Sequence, residues 1–560
     1  MDLTNPENIS PTQPLSAGVA EAAPGKARTS LPSRALLVIA ILFVLVRALP
    51  ILTFPMGRDQ ATYLVVGKGL LEGKRLYRDL WDIKPPGIYI VYAGIAKVFG
   101  RAVWSVAMVD ALLLLVISFF LFWYAKSYLG RAGAAVALMV NASWHGEMRY
   151  HWIAQPELFQ LVCILSGILL LQWGRRWWKA RWFAAGLLLG CVCWLKYNGI
   201  AFLPLLLFLP YLDRNSLDRN PPRVSLTIAW RDWVARAVFL VAGLAAAIGL
   251  VLAWIVSTGA WQAMKEGQFE VLPRYAAMAF QRNPHYLLSA FARTDYWLGV
   301  WTLWATLAAL LVAWWRRDLG RFAPIFFAGL AAFASVVMQV RFHDYYFQIC
   351  YPFFAAIWAY LVINIYEGCR ALARSLRRRG WRLAAGLVWV VFAEVLFWPL
   401  PKEFTKLAMR YEELREWRAD AGTYYSNYPH QLPFELLPGQ FDVVHYLEKN
   451  AKPSDSIYLW GAQCSVYYLT GHQPPTRFIS DSFIMSLWSP AYWREELMRN
   501  LRDTRPTFIV VTRGDEIPII TYVNLDSERY LKRFPELDSF ITENYRLVAD
   551  LDSFVIYRRD

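Results

Sequence analysis

Between Ala35 and about Leu400 the chain repeats apolar runs, each near the ~20 residues a helix needs to cross a hydrocarbon core. They fall at about 35–54, 103–125, 131–145, 157–173, 182–195, 199–212, 236–256, 296–315, 322–340, 347–366 and 382–400, which makes about eleven spans of an α-helical polytopic membrane protein. Composition agrees: 57% of residues are hydrophobic and 16% aromatic, against about 45–50% apolar in an ordinary soluble domain. From Pro401 onward the chain reads like a water-soluble protein.

The net charge of +15 does not point to nucleic acid, because the excess cations sit in short loops between apolar runs. Alternate loops carry Lys126 and Arg131; Arg175, Arg176, Lys179 and Arg181; Arg214, Arg219, Arg223, Arg231 and Arg236; Arg316, Arg317 and Arg321; and the cluster from Arg370 to Arg382. The positive-inside rule places these in the cytoplasm, with the N-terminus. The other set then faces outward: Pro55 to Ala102, Gly146 to Pro156, the Lys196–Asn198 tip, Ser257 to Asp295, Arg341 to Tyr346, and everything after Pro401. Counting Lys84 to Phe99 as a span would invert every later loop, so it is expected as an interfacial helix on the outer leaflet. Lys196 halves the long run from Arg181 to Leu212; a cation at a helix centre costs ~2.5–3.5 kcal/mol on insertion scales, so a hairpin with Lys196 at its outer tip is expected.

Residues 1–33 are expected to be a disordered cytoplasmic tail, with no cleavable signal before the first span, which serves as an uncleaved anchor. Residues 34–400 form the membrane domain, with outer loop 55–102, and residues 401–560 a soluble outer domain. Strand-like runs at Ser456 to Trp460, Thr507 to Thr512 and Ser553 to Tyr557 alternate with helical stretches at Asp442 to Lys449 and Tyr492 to Arg502, which predicts a small α/β fold there. Five of six cysteines lie in or beside spans and only Cys464 lies outside, which excludes an intradomain disulfide in that domain. Cys191 and Cys193 lack companions for a metal site. The outer domain has no Asn-X-Ser/Thr acceptor, which favours a bacterial periplasm.

The densest polar cluster is in the first outer loop: Gly57-Arg58-Asp59-Gln60-Ala61-Thr62-Tyr63, then Tyr77-Arg78-Asp79-Leu80-Trp81-Asp82-Ile83-Lys84-Pro85-Pro86-Gly87. A carboxylate at the membrane surface can take a proton from an acceptor hydroxyl, and a lysine can meet a phosphate as a point charge. An outward Asp after the first span, followed by Tyr-X-Asp-X-Trp-Asp-X-Lys-Pro-Pro-Gly, resembles the GT-C membrane glycosyltransferases. The resemblance is strongest to the branch with aminoarabinose transferases, protein O-mannosyltransferases and lipopolysaccharide core transferases, and runs to about residue 400.

That resemblance implies a GT-C fold and transfer of sugar from a polyprenyl-phosphate donor to a glycolipid, lipopolysaccharide or protein acceptor at a bacterial inner membrane. Asp59 matches the catalytic outer-loop Asp, acting as general base in an inverting displacement. Lys84 matches the lysine near the donor phosphate, with Lys196 and Arg341 as further phosphate-binding candidates. Asp82, Glu157, His343, Tyr345 and Tyr346 are substrate-site candidates. Gln60 stands where the family has Glu, which counts against paired carboxylates or a metal held by them, so neither a metal nor another cofactor is expected. The outer domain is expected to serve the acceptor side or the architecture, without chemistry of its own.

Each residue also has a plainer reading. Asp59 could cap a helix, Lys84 anchor the interfacial helix, Glu157 cap the fourth span, and Lys196, Arg341 and His343 snorkel to headgroups. Arg47 and Asp110, inside spans, are explained by interhelical ion pairing as well as by function. A transporter or flippase of lipid-linked sugars is the main rival function, but no internal repeat of the transporter kind is found. An oligosaccharyltransferase subunit lacks its Trp-Trp-Asp signature here. A scaffold gives no reason for the Asp59 to Lys84 loop.

Overall fold

The computed structural model describes residues 33–560 except 148, 173–175, 213–229, 398–399, 430–431 and 433–434. The tail expected at 1–33, apart from Ser33, and the loop residues Arg175, Arg214, Arg219 and Arg223 lie outside the described residues.

Helices occupy the apolar runs: α1 (Ser33–Ala48), α2 (Arg58–Leu71), α3 (Pro86–Phe99), α4 (Ser105–Gly146), α5 (Pro156–Gln172), α6 (Trp178–Leu195), α7 (Leu203–Leu212) and α8 (Trp230–Ser257), then further helices from Trp261 to Phe397. Five described helices are long and apolar enough to cross a membrane, or six if Tyr286–Leu298 and Thr302–Trp315, bent by 94°, make one span. The chain is an integral membrane protein. Fewer helices meet that length than there are apolar runs because several are short, α5 and the stretch Tyr197–Leu209 among them, and because α4 contains two runs. Gly130 leaves helical geometry inside α4 (φ +69°), and Asp110 meets His145, 35 residues on, at 2.9 Å. A straight helix would hold residues so spaced about 50 Å apart. The element is therefore a hairpin that returns to the same end of the bundle.

That end is where the segments read as outward-facing collect. The buried Arg47 near the end of α1 donates to Ser143 O (2.9 Å) and pairs with Glu147 (3.6 Å) and Glu403 (3.4 Å). Asp110 takes His145 and the Ala154 backbone N–H (2.7 Å). Neither intramembrane charge pairs with the other; each ties a span to a loop at this end. The helix Leu400–Ala419 lies across it, with the Tyr411 hydroxyl donating to Val46 O (3.0 Å).

Beyond this helix the chain forms an α/β unit with a four-stranded sheet: β1 (Ile457–Trp460), β2 (Phe508–Thr512), β3 (Tyr545–Leu551) and β4 (Phe554–Arg559), in the order β1-β2-β4-β3. β1 and β2 are parallel, with Leu459 opposite Val510, and β4 runs antiparallel to both β2 and β3. β1 and β2 are buried along their whole length, as expected of apolar parallel strands covered on both faces. The three anticipated strands lie on β1, β2 and β4. β3 was not anticipated, because as an edge strand it is mostly exposed and carries charge (YRLVADL).

The unit is stitched to the loop between α2 and α3. The Trp81 N–H donates to Arg477 O (2.7 Å), Trp81 pairs as a β-bridge with Phe478, and its buried indole packs edge-on against Phe483 and Trp493 (4.7 and 4.6 Å). Arg477 in turn bonds Glu266 (2.8 Å) and Glu496 (2.6 Å), while Tyr492 and Trp493 donate to Glu266.

Candidate active site

Asp59 is the second residue of α2, whose N-cap Gly57 supplies no side-chain cap. Gly57 is closely packed: a Cβ there would lie 2.7 Å from Gln60 Oε1 and 3.0 Å from the His151 backbone. The adjoining Gln60 is fully buried and donates its amide to His151 O (3.1 Å) and Ile153 O (2.7 Å). A glutamate at this position would turn carboxylate oxygens on two carbonyls, which accounts physically for the departure from the family pattern at Gln60.

The Lys-Pro-Pro-Gly segment is equally determined by its surroundings. Pro85 is extended at the N-cap of α3, and Pro86 occupies the first turn, where a missing N–H costs nothing. Gly87 passes so close to α6 that a Cβ would sit 2.7 Å from Trp194 O. This brings Lys84 beside the end of α6, where Lys196 leaves the helix in extended geometry (φ −165°, ψ 134°). The Gln160 amide holds that break by donating to Val192 O (2.9 Å) and Lys196 O (2.8 Å). Tyr77, a non-glycine residue at φ +64°, donates its hydroxyl to Lys84 O (2.8 Å) and fixes the loop from within.

Asp59, Asp82, Lys84, Lys196, Arg341, His343, Tyr345 and Tyr346 line one cavity of about 760 Å³ between the bundle end and the C-terminal unit. Glu157 stands behind it, fully buried, with an oxygen 2.5 Å from Lys196 Nζ. The sequence candidates are thus brought together from five separate stretches of chain.

Asp59 is loosely held. Its Oδ2 lies 4.0 Å from Lys84 Nζ and accepts long bonds from Tyr63 Oη and Gln155 Nε2, both 3.4 Å. A third of its side chain is open to the cavity, although protein surrounds it. Burial pushes its pKa up, but Lys84, Arg58 and His343 outweigh that, so the carboxyl titrates below its usual 3.8. Burial pulls Lys84 down, yet Asp59, Glu157 and Asp82 together hold it above 10.5. Its Nζ reaches the Tyr345 hydroxyl at 3.4 Å. Asp82 differs: it is buried, accepts from Tyr89 Oη (2.6 Å) and the Ile83 N–H (2.8 Å), and is raised by that burial to about 6.

The other cations are more engaged. Lys196 is clamped on Glu157 and lies 3.4 Å from the centre of the Tyr346 ring; burial depresses it to about 7. Arg341 stacks 3.6 Å over Tyr275 and donates to Ile519 O (2.9 Å) and Tyr522 Oη (2.6 Å). Among the described residues no carboxylate pairs with it, so its charge is not cancelled. Burial, then Arg341, Lys84 and Lys196, depress His343 to about 3, leaving a neutral imidazole stacked on Tyr345.

Several wall residues were not among the sequence candidates, Arg58 although it adjoins Asp59 in the polar cluster. Arg58, His151, Tyr275 and Glu435 all face the cavity. Glu435 comes from the C-terminal half and accepts the Arg58 N–H at 3.1 Å; in the sequence it stands alone among Leu, Pro and Phe, with no pattern to mark it.

The architecture matches known structures. ArnT from Cupriavidus metallidurans bound to undecaprenyl phosphate superposes at a TM-score of 0.52 over 94% of this chain and 97% of that one, with 14% identity. The apo form of the same protein gives a TM-score of 0.51 at the same identity and coverage. This chain has the GT-C fold. A weaker likeness, at TM-score 0.43 and 12% identity, covers 86% of this chain and 69% of AglB, the archaeal oligosaccharyltransferase from Archaeoglobus fulgidus, in complex with an inhibitory peptide and a dolichol-phosphate. By sequence, a family model for dolichyl-phosphate-mannose-protein mannosyltransferase matches residues 83–229, about a quarter of the chain. That stretch of the GT-C fold includes Lys84, Glu157 and Lys196, while Asp59 and Arg341 lie outside it. No match was found among curated proteins.

Proposed function

We propose that this GT-C protein is a membrane glycosyltransferase that moves a sugar from a polyprenyl-phosphate donor to an acceptor hydroxyl at the outer face of a bacterial inner membrane. The observation that carries the reading is the loose Asp59–Lys84 pair, 4.0 Å apart, on the wall of a cavity between membrane helices and outer unit. A base and a cation held at that spacing, without satisfying each other, are available to a substrate with one acidic proton and one phosphate.

Asp59 takes the proton of the acceptor hydroxyl as its oxygen attacks the anomeric carbon. The bond from that carbon to the phosphate oxygen breaks, and the sugar inverts. The departing polyprenyl phosphate gains negative charge, which Lys84 offsets with help from Lys196 and Arg341. Docking of a phosphate on Lys84 would also draw that cation away from Asp59 and raise the basicity of the carboxylate when it is needed. Asp82, His343, Tyr345 and Tyr346 would shape the sugar subsite. A glycolipid or lipopolysaccharide acceptor suits the position at the membrane surface, with a protein as the alternative. The N-terminus would be cytoplasmic, residues 34–400 the transferase domain and residues 401–560 a periplasmic domain.

The test is release of polyprenyl phosphate from a panel of lipid-linked monosaccharides by purified wild type, Asp59→Asn and Lys84→Ala, with membrane glycolipid extract as acceptor. Release by wild type that is lost in folded Asp59→Asn supports the transferase. Full activity in Asp59→Asn removes Asp59 from the site. Movement of donors across vesicles without any sugar transfer would favour a flippase.

A further inference from the structure

Arg341 enters the cavity wall from a strained piece of backbone. It follows the helix Leu319–Val337, and its N–H donates to Gln339 O (2.6 Å) across Val340, a β-branched residue held at φ +59°. Left-handed geometry at such a residue persists only where the surroundings impose it. Much of what surrounds the side chain comes from the C-terminal unit: Nη1 donates to Ile519 O (2.9 Å) and Nη2 to Tyr522 Oη (2.6 Å), while the guanidinium lies 3.6 Å over the Tyr275 ring.

The segment that carries these two acceptors is itself braced. Pro518–Thr521 is a single helical turn, and Tyr522 ends it at φ +59° with its N–H on Pro518 O (3.0 Å). The Trp488 indole donates to Ile520 O (2.9 Å) and the Leu487 N–H to Thr521 O (3.1 Å). Trp488 also packs edge-on against Tyr275 (5.2 Å), the ring under the guanidinium.

This hold orients the arginine without satisfying it. A carbonyl and a hydroxyl leave its charge intact, and its buried Nε–H has no acceptor among the described residues. A buried cation is costly unless paired, and a planar guanidinium fixed in orientation suits the oxygens of a phosphate. The charges of Arg341 and Lys84 both act on His343 and on Tyr275, so the two cations face one space.

We propose that Tyr522 is a positioning residue for Arg341, and that through it the C-terminal unit completes the set of cations that receives the lipid phosphate. The inference rests on the transferase reading for naming that phosphate as the donor's; its test needs only the phosphate. The C-terminal unit is then part of the donor side of the cavity.

Tyr522→Phe removes the hydroxyl and keeps the ring. The probe is a sugar-free polyprenyl phosphate, with the prenyl alcohol of equal length as control for the tail, bound to purified full-length protein and quantified by native mass spectrometry. Tyr522→Phe should weaken the phosphate about five- to tenfold, less than the full worth of a hydrogen bond to a charged group because Ile519 O still holds Nη1. The alcohol should bind as before. In an Arg341→Ala background the same substitution should change nothing further, because it acts through the arginine; Arg341→Lys serves if the alanine variant is unstable. In donor turnover KM should rise by a similar factor, with a smaller fall in kcat. Phosphate binding equal to wild type in Tyr522→Phe, or weakened by the same factor with and without Arg341, would overturn the proposal. So would equal weakening of phosphate and alcohol, the mark of a loosened seam. Weakening as expected, with no sugar transferred even by wild type, would uphold the cation set and overturn the transferase reading. No phosphate binding by wild type would overturn both.

Discussion

The cavity holds two lysine–carboxylate pairs built to opposite specifications. Lys196 and Glu157 are 2.5 Å apart, with side-chain exposures of 12% and 0%. Lys84 and Asp59 are 4.0 Å apart, with exposures of 17% and 33%. The tight pair sits where α6 breaks and where a charge without its partner would be stranded in a buried setting. In the loose pair Asp59 sits on the first turn of α2 and Lys84 on a loop fixed through its backbone by Tyr77 and Trp81, so the two side chains need not hold each other. Closeness marks the pair whose charges satisfy each other, and distance the pair whose charges do not.

The largest expected effect falls on the loose pair. Asp59→Asn should lower sugar transfer by about 10²–10⁴, the worth of a positioned general base, with little change in thermal unfolding. Lys84→Ala should lower kcat by about 10²-fold, within the range for loss of one charge-stabilising donor, and also move the acid limb of the pH–rate profile. Lys84 holds Asp59 below 3.8, so its removal shifts that limb upward; a downward or absent shift would break the assignment of the pair. On the tight pair the pattern should reverse. Lys196→Met leaves Glu157 buried without its cation and should cost about 3–5 kcal/mol of stability, most of it recovered by adding Glu157→Gln. Equal stability losses in Lys84→Ala and Lys196→Met would dissolve the distinction.

The smallest effect belongs to the seam. Arg477, Tyr492 and Trp493 outweigh burial to hold Glu266 below its usual 4.5. A depressed carboxyl stabilises above its unfolded pKa and loses that contribution as pH falls through the folded value. Limited proteolysis of the C-terminal half should therefore accelerate only in acid, and Glu266→Gln should flatten that dependence.

The loose pair was readable from the sequence because each residue carries a local mark in the segment 55–102: a lone carboxylate after a span and a lysine before Pro-Pro-Gly. Lys196 was marked by falling at the middle of an overlong apolar run, and the chain does leave the helix there. Glu435 and Arg477 were not readable, because what makes them matter is a partner 377 or 211 positions away, and neither carries a local pattern. The fold of the membrane part follows from periodic apolarity, which a single sequence displays. The hairpin inside α4 was legible as well: the sequence separates apolar runs at about 103–125 and 131–145, and the chain turns at Gly130 between them and brings His145 back to Asp110.

The bridge between Trp81 and Phe478 has a consequence in time. A ribosome delivers the Asp59 to Lys84 loop early and residue 478 some four hundred residues later, so the loop reaches its final pairing only when most of the chain has been made. An incomplete chain already inserted in the membrane lacks the strand partner, the Glu435 contact and the C-terminal wall of the cavity, and so carries Asp59 and Lys84 without a finished chamber. The order of synthesis thus leaves the cavity around Asp59 and Lys84 without its C-terminal wall in any product that ends before residue 435.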